Sequence, residues 1–316
     1  MRPHSPDKIA GTLPPLSRNC AATAFIVFSH YIEQIMDIAS EVKRNVAAAL
    51  AEDVGTCDWT AQLTPAGAAA RASVVCRTAA TIAGRPWFDA VFRELDAAIL
   101  IEWQVNEGQA VAPNTTLCTL SGAARALLTG ERAALNFLQM LSAVATTTRR
   151  YVDAVSGTRA AILDTRKTLP GLRIAQKYAV KTGGGMNHRI GLYDGILIKE
   201  NHIAATGGVT AALVAARKLA PAAVWIQIEV ETLDQLREAL AAGAEMILLD
   251  NMSTAQMREA VNIAAGRAKL EASGGITLDN VRAIAETGVE RISIGALTKD
   301  IKAADLSMRF ETRSMQ

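Results

Sequence analysis

Over residues 31–51, Ile32, Ile35, Ile38, Val42, Val46 and Leu50 recur at three- and four-residue steps. That spacing puts them on one face and predicts an amphipathic helix. Over 71–122 the pattern changes to short apolar runs, ASVVCR (72–77) and ILIEWQV (99–105), punctuated by Asn106-Glu107-Gly108 and Ala112-Pro113-Asn114. These read as strands and turns. A second amphipathic helix is predicted from about 123 to 155, broken at Thr129-Gly130. Beyond it the rhythm is regular. Strands are predicted at 160–166, 196–200, 224–231, 246–251, 270–273 and 291–294, with helices such as 233–242, 254–265 and 278–287 between them. Alternating strands and helices imply a parallel sheet with right-handed crossovers. No G-x-G-x-x-G fingerprint follows any of these strands, which favours a barrel, complete or incomplete, over a dinucleotide-binding sheet.

In such barrels the reactive side chains sit at the carboxyl ends of the strands. Read in order, those ends are Arg166-Lys167, Lys199-Glu200, Glu229 and Glu231, Asp250-Asn251, Ser273-Gly274 and Gly295. Charge placed at random would scatter along strands and helices alike. Arg166, Lys167, His188, Arg189 and Lys199 form a cationic group suited to a ligand with several anionic groups. Taken singly, each is as well explained as a solvated cation, and His188 as a structural histidine. The run Gly183-Gly184-Gly185 just before His188 permits a close backbone approach to a ligand, although a helix C-cap would need only one glycine. Glu229 and Asp250 close neighbouring strands and suit ribose hydroxyls, Mg2+ or a developing positive charge. An ion pair with Lys167 or Lys199 is the plainer alternative. Ser273-Gly274-Gly275 and Ile294-Gly295-Ala296 end the last two strands, each before a helical segment, as in a phosphate cradle.

Composition narrows the class. The chain has 316 residues, half of them hydrophobic and a fifth charged, enough for two domains or a barrel with an addition. A formal charge of +2 excludes a bulk nucleic-acid footprint, so an anion site must be local. Cys20, Cys57, Cys76 and Cys118 form no C-x-x-C pair and read as free thiols of a cytoplasmic protein. The apolar run at 20–28 lacks a small-residue cleavage site and is too short to span a bilayer. Residues 1–30 are therefore expected to be a loosely ordered extension, with Met36 as an alternative start.

The motifs GERAALNFLQMLSAVAT (130–146), LDTRKTLPGLRIAQKYAVKTGGGMNHRIGLYDGILIKENHI (163–203), IEVETLDQL (228–236), ILLDNM (247–252), EASGGI (271–276) and ISIGALTKDIKAADLSMRF (292–310) resemble those of the quinolinate phosphoribosyltransferases, a family of type II phosphoribosyltransferases. The resemblance implies an α/β fold. An N-terminal open-faced α/β sandwich (31–134) precedes an incomplete α/β barrel (135–300), and residues 301–316 pack back onto the sandwich. It implies transfer of the phosphoribosyl group of phosphoribosyl pyrophosphate to quinolinate with decarboxylation, Mg2+ as cofactor, and a homodimer or larger assembly with shared sites. By the same resemblance Arg166, His188, Arg189 and Lys199 hold the quinolinate carboxylates, with Arg132 supplied by the neighbouring subunit. Lys167, Glu229 and Asp250 would be the catalytic residues and address phosphoribosyl pyrophosphate. Mg2+ would be held mainly through the pyrophosphate, with Glu229 and Asp250 as the carboxylates able to help. Thr165, Ser273, Gly274, Gly275, Ile294, Gly295 and Ala296 would complete substrate binding. One departure is Lys299, where some members carry a histidine. The competing readings are a type II relative that uses nicotinate, a molybdenum-operon relative, and a binding protein that has lost the chemistry. The density of carboxylate-binding cations argues against a monocarboxylate.

Overall fold

The alternation of Ala72, Val74 and Cys76 with more exposed neighbours makes one face of β1 (Ala69–Cys76) fully buried, as a half-covered strand requires. β1 lies between β5 (Thr115–Ala123) and the last strand, β12 (Leu306–Phe310), and β3 (Leu100–Trp103) completes an antiparallel sheet in the order β12-β1-β5-β3. A separate ribbon pairs β2 (Ala80–Thr81) with β4 (Ala110–Val111). The computed structural model describes residues 36–311, so the readings for residues 1–30 and for the first turn of the 31–51 helix lie outside the described residues. Within them the first helix, α1, spans Ile38–Val54 and buries Val42, Val46 and Leu50, the spacing read from the sequence. α2 (Arg85–Leu95) turns Trp87, Phe88, Val91 and Phe92 inward, with Pro86 in its first turn, where a missing N–H is harmless.

β5 runs directly into α3 (Ala124–Ala154), a single 31-residue helix. The expected break at Thr129-Gly130 does not occur. Gly130 is there for packing: a Cβ on it would lie 2.8 Å from Phe92 Cε1 and 2.9 Å from Leu95 Cδ1, so its bare backbone lets α2 and α3 approach. The helix contacts both the antiparallel sheet and the barrel elements, and residue 134 lies inside it.

The second layer is a six-stranded parallel sheet, β6-β11-β10-β9-β8-β7. Its strands are β6 (Ala161–Leu163), β7 (Gly195–Ile198), β8 (Trp225–Val230), β9 (Met246–Asp250), β10 (Lys269–Ser273) and β11 (Arg291–Ser293). The helices α4 (Arg173–Thr182), α5 (Glu200–Thr206), α6 (Val209–Leu219), α7 (Leu233–Ala241), α8 (Thr254–Ala264), α9 (Val281–Ala285) and α10 (Ala296–Lys299) alternate with them. β6 and β7, the first two strands in sequence, are the two edges, so the barrel is open between them. Met186 bridges to Leu163 across part of that seam. Most of the strands are shorter than read, although β10 gains Lys269. β6 ends at Leu163, so the polar run from Asp164 to Lys167 lies wholly beyond it, and the 278–287 helix contracts to Val281–Ala285.

The glycine run also differs from its reading. Only Gly184 takes a left-handed φ, +89°. A Cβ on Gly183 would stand 2.5 Å from the Ala145 carbonyl oxygen, and one on Gly185 2.7 Å from Thr148 Cγ2. The run therefore lets the end of α4 pack on α3 rather than bringing backbone to a ligand. Gly183→Ala should destabilise the fold by about 1–3 kcal/mol through overpacking against backbone, read as a lower urea midpoint with an unchanged slope; an unchanged midpoint would remove this packing role.

Candidate active site

The residues just past β6 divide by direction. Asp164 turns inward and pairs with Lys177 of α4 at 2.5 Å, with both side chains fully buried. Its carboxylate also accepts from the backbone N–H of His188 at 2.8 Å and from Asn187 Nδ2 at 2.6 Å, while Lys177 Nζ donates to the His188 carbonyl at 2.9 Å. Burial pulls the Lys177 ammonium below its ordinary range, against the opposing pull of Asp164. This cluster fixes the segment that enters the open seam.

His188 follows from that placement. Its Nδ1 accepts from the Arg189 backbone N–H at 2.8 Å, so Nε2 carries the proton and donates to Gln227 at 3.0 Å. Burial holds the imidazole below its usual range, in keeping with a neutral ring. Both ring nitrogens are engaged within the fold. Gln227 continues to Glu271, which Arg291 also meets at 3.0 Å. The geometry ties His188 to the barrel interior through Gln227 and to the backbone of Arg189.

Arg189 is buried and donates to the Gly195 carbonyl at 2.9 Å. Its burial first, and then the neighbouring positive Arg166, lower its affinity for a proton. The Arg166 Nε is buried and has no hydrogen-bond partner. Among the described residues no carboxylate is hydrogen-bonded to either guanidinium. Two adjacent guanidiniums without an acid between them form a site whose charge an anion would satisfy. Arg173 braces it, donating to Thr168 Oγ1 at 3.1 Å and to the Ile190 carbonyl at 3.0 Å.

Lys199 joins the cations to the acids. It is the N-cap of α5 and reaches Glu229 Oε2 at 3.0 Å. Burial raises the Glu229 carboxyl above its usual range, Lys199 draws it back, and the charges of Asp250 and Glu200 push it up again. Asp250 is held by Asn251, whose Nδ2 donates to it at 2.8 Å. Asn251 itself has a φ of +52° and lies where a Cβ on Gly274 would collide with it, so Gly274, at φ +98°, is required twice. Asp250 is the register partner of Ser273, which puts the acid beside the Ser273-Gly274-Gly275 turn. At the other turn, a Cβ on Gly295 would stand 2.9 Å from Lys167 Cδ and 3.7 Å from Thr165 Oγ1. The structure thus brings Thr165, Lys167 and the Ile294-Gly295-Ala296 turn together. Glu229 and Asp250 are the carboxylates of the mouth that could help to hold a hard cation. No third His, Cys, Asp or Glu completes a cage with them among the described residues, a donor set that fits a cation bringing most of its oxygens on a phosphorylated ligand.

Sequence profiles for the N-terminal and C-terminal domains of quinolinate phosphoribosyl transferase match residues 58–142 and 144–309. This chain belongs to the quinolinate phosphoribosyltransferase family. A probable nicotinate-nucleotide pyrophosphorylase (carboxylating) of Bacillus subtilis is 44% identical over 257 residues, 81% of this chain and 89% of that one. A quinolinate phosphoribosyltransferase (decarboxylating) of Nicotiana tabacum is 34% identical, covering 97% and 93%. The solved nicotinate-nucleotide pyrophosphorylase of Francisella tularensis superposes with a TM-score of 0.84 at 45% identity, over 86% of this chain and 97% of that one. The expected α/β fold, with its sandwich and open barrel, is that of the family.

Arg132, which the resemblance assigns to the neighbouring subunit's site, is not gathered in by the single chain. It is exposed on α3, outside the hydrogen-bonded groups of the mouth. Conversely, sequence reading missed Asp164, Lys177, Asn187, Gln227 and Glu271, all buried. Asp164 was adjacent to the cations and beyond the apolar run, a signal that could have marked it as an inward anchor. Lys177→Met would leave Asp164 buried without its partner and should cost about 3–5 kcal/mol, read by chemical denaturation; a loss under about 1 kcal/mol would mean that the pair behaves like a surface ion pair.

Proposed function

We propose that this enzyme transfers the phosphoribosyl group of phosphoribosyl pyrophosphate to quinolinate and decarboxylates the product, giving nicotinate mononucleotide, pyrophosphate and CO2, a step of NAD biosynthesis. The observation that carries the reading is the Arg166–Arg189 pair, buried in part and without a hydrogen-bonded carboxylate of its own. A pyridine dicarboxylate supplies two acids at a fixed spacing, and guanidinium forks match them. Lys199, at the N-cap of α5 and paired with Glu229, serves the same anion.

The reaction needs no side-chain nucleophile. The pyridine nitrogen forms a bond to the anomeric carbon as the bond to pyrophosphate breaks. Lys167, exposed over the Gly295 turn, meets the leaving phosphates. Glu229 and Asp250 lie where the sugar gathers positive charge and favour that state. The ring nitrogen, now cationic, accepts the electron pair released when the adjacent carboxylate leaves as CO2, and a proton takes its place on the ring carbon. Glycine turns at Ser273–Gly275 and Ile294–Ala296 receive the 5′-phosphate. Glu229 and Asp250 would help to hold Mg2+, which would supply charge neutralisation for the leaving pyrophosphate. No helix among the described residues is long and apolar enough to cross a membrane, and work in the cytoplasm is part of this reading.

Mixing the enzyme with quinolinate, phosphoribosyl pyrophosphate and Mg2+ should release CO2 and pyrophosphate together. Equal turnover of nicotinate without CO2 would give the nicotinate-using alternative the better claim. The amide variants Glu229→Gln and Asp250→Asn should lower kcat by about tenfold or more while quinolinate binding changes little; unchanged turnover in both would take the acids out of the site.

Arg132 belongs to the same reading. A dianion held from one barrel mouth leaves one side to solvent, and a two-fold partner that lays its α3 across the mouth would bring Arg132 to that side and exclude water. Inactive Arg132→Ala chains mixed with inactive Lys167→Ala chains should regain part of the activity on subunit exchange, because some mixed dimers contain one intact site. No recovery in proven heterodimers would confine Arg132 to its own chain.

A further inference from the structure

Gln176 of α4 is fully buried, and both ends of its amide are occupied. Its Oε1 accepts from the backbone N–H of Leu169 at 2.8 Å, and its Nε2 donates to the Thr298 carbonyl at 2.8 Å. Thr298, also fully buried, donates its hydroxyl to the Lys167 carbonyl at 2.8 Å. Leu169 and Lys167 belong to one loop and Thr298 to α10, so these bonds close a strut between that loop and the Gly295 turn. Each member both receives and passes on a hydrogen bond, an arrangement in which neighbours strengthen one another. At the far side of the strut the Lys167 stem fills the space left by the missing Gly295 side chain.

We infer that Gln176 and Thr298 are positioning residues that set Lys167 against the Gly295 turn and so govern binding of the phosphorylated substrate but not of the pyridine. The selectivity follows from how the loop is held elsewhere. Arg166 has its own brace: Arg173 binds Thr168 Oγ1 at 3.1 Å and reaches the Arg166 carbonyl at 3.5 Å. Farther on, Arg44 of α1 donates to the Gly171 carbonyl at 2.6 Å. Loss of the strut therefore frees the Lys167 side of the loop while the Arg166 side keeps its supports. The assignment rests on the phosphoribosyl-transfer reading, and the test is built so that the two can fail separately.

Thr298→Val keeps shape and removes the hydroxyl, Thr298→Ser keeps the hydroxyl, and Gln176→Leu removes both amide bonds. Phosphoribosyl pyrophosphate, inorganic pyrophosphate and quinolinate are titrated singly by calorimetry, and KM for both substrates is measured on each variant. One net hydrogen bond corresponds to about tenfold in affinity. That loss is expected for phosphoribosyl pyrophosphate and pyrophosphate in Thr298→Val and Gln176→Leu, with Thr298→Ser close to the unaltered enzyme and quinolinate unchanged in all three. If Gln176→Leu does not fold, the Thr298 pair decides. Equal losses for both substrates, or none, would overturn the inference. An unaltered enzyme that makes no product yet binds pyrophosphate with this rank order among variants would sink the transfer reading and leave the strut standing; one that binds neither phosphate ligand would sink both.

Discussion

The buried pair of Asp164 and Lys177 is the constraint from which the rest of the mouth follows. The barrel is open between β6 and β7, and an open seam leaves backbone groups that need partners. The chain answers with the segment after α4, whose Met186 N–H donates to the Ile162 carbonyl and whose carbonyl accepts from the Asp164 N–H. Nothing in that segment is a regular strand, so side chains must hold it. Asp164 receives Lys177, Asn187 and the His188 N–H, and Lys177 turns back to the His188 carbonyl. A buried ion pair contributes little to stability over an apolar substitute, yet breaking it is costly. Such a pair is poor glue and a good register mark. Here it marks where Arg189 begins.

What the sequence made legible was whatever depends on near neighbours. The three- and four-step spacing of Val42, Val46 and Leu50 is a local property of a helix, and the capping boxes of α7 (Thr232 with Gln235) and α8 (Ser253 with Gln256) lie within one turn. The strand ends were legible because parallel strands gather their carboxyl ends on one side, which brought Glu229, Asp250 and Ser273 into one region by topology alone. The hidden part depends on partners remote in the chain. Lys177 sits in KYAVK, where spacing cannot separate it from the more exposed Lys181. His188 looked like one more cation, because the burial that keeps it neutral comes from a barrel interior whose Gln227 and Glu271 are some forty and eighty residues away. Gly130 and Gly183 have the composition of a break and of a loop. Their purpose is the surface of another helix, which no local window contains.

The same distinction explains the uneven charge of the mouth. Cations and acids there are not mixed into neutral pairs as on an ordinary surface. The charges of Arg166 and Arg189 repel with no acid hydrogen-bonded to either guanidinium among the described residues, while the charges of Glu229 and Asp250, on neighbouring strands, also repel. Each arrangement raises the free energy of the empty enzyme, and natural proteins keep such strain where a ligand relieves it. Lys199 bonds across the divide, with its side chain 45% exposed and Glu229 almost buried beneath it. A carboxylate that engages the arginines also competes for that ammonium. To the extent that Lys199 turns toward it, Glu229 loses the partner that draws its proton affinity down and regains its full attraction for another positive group. Under the proposed function, a pyridine dicarboxylate on one side and a sugar gathering positive charge on the other would make that exchange favourable in both places.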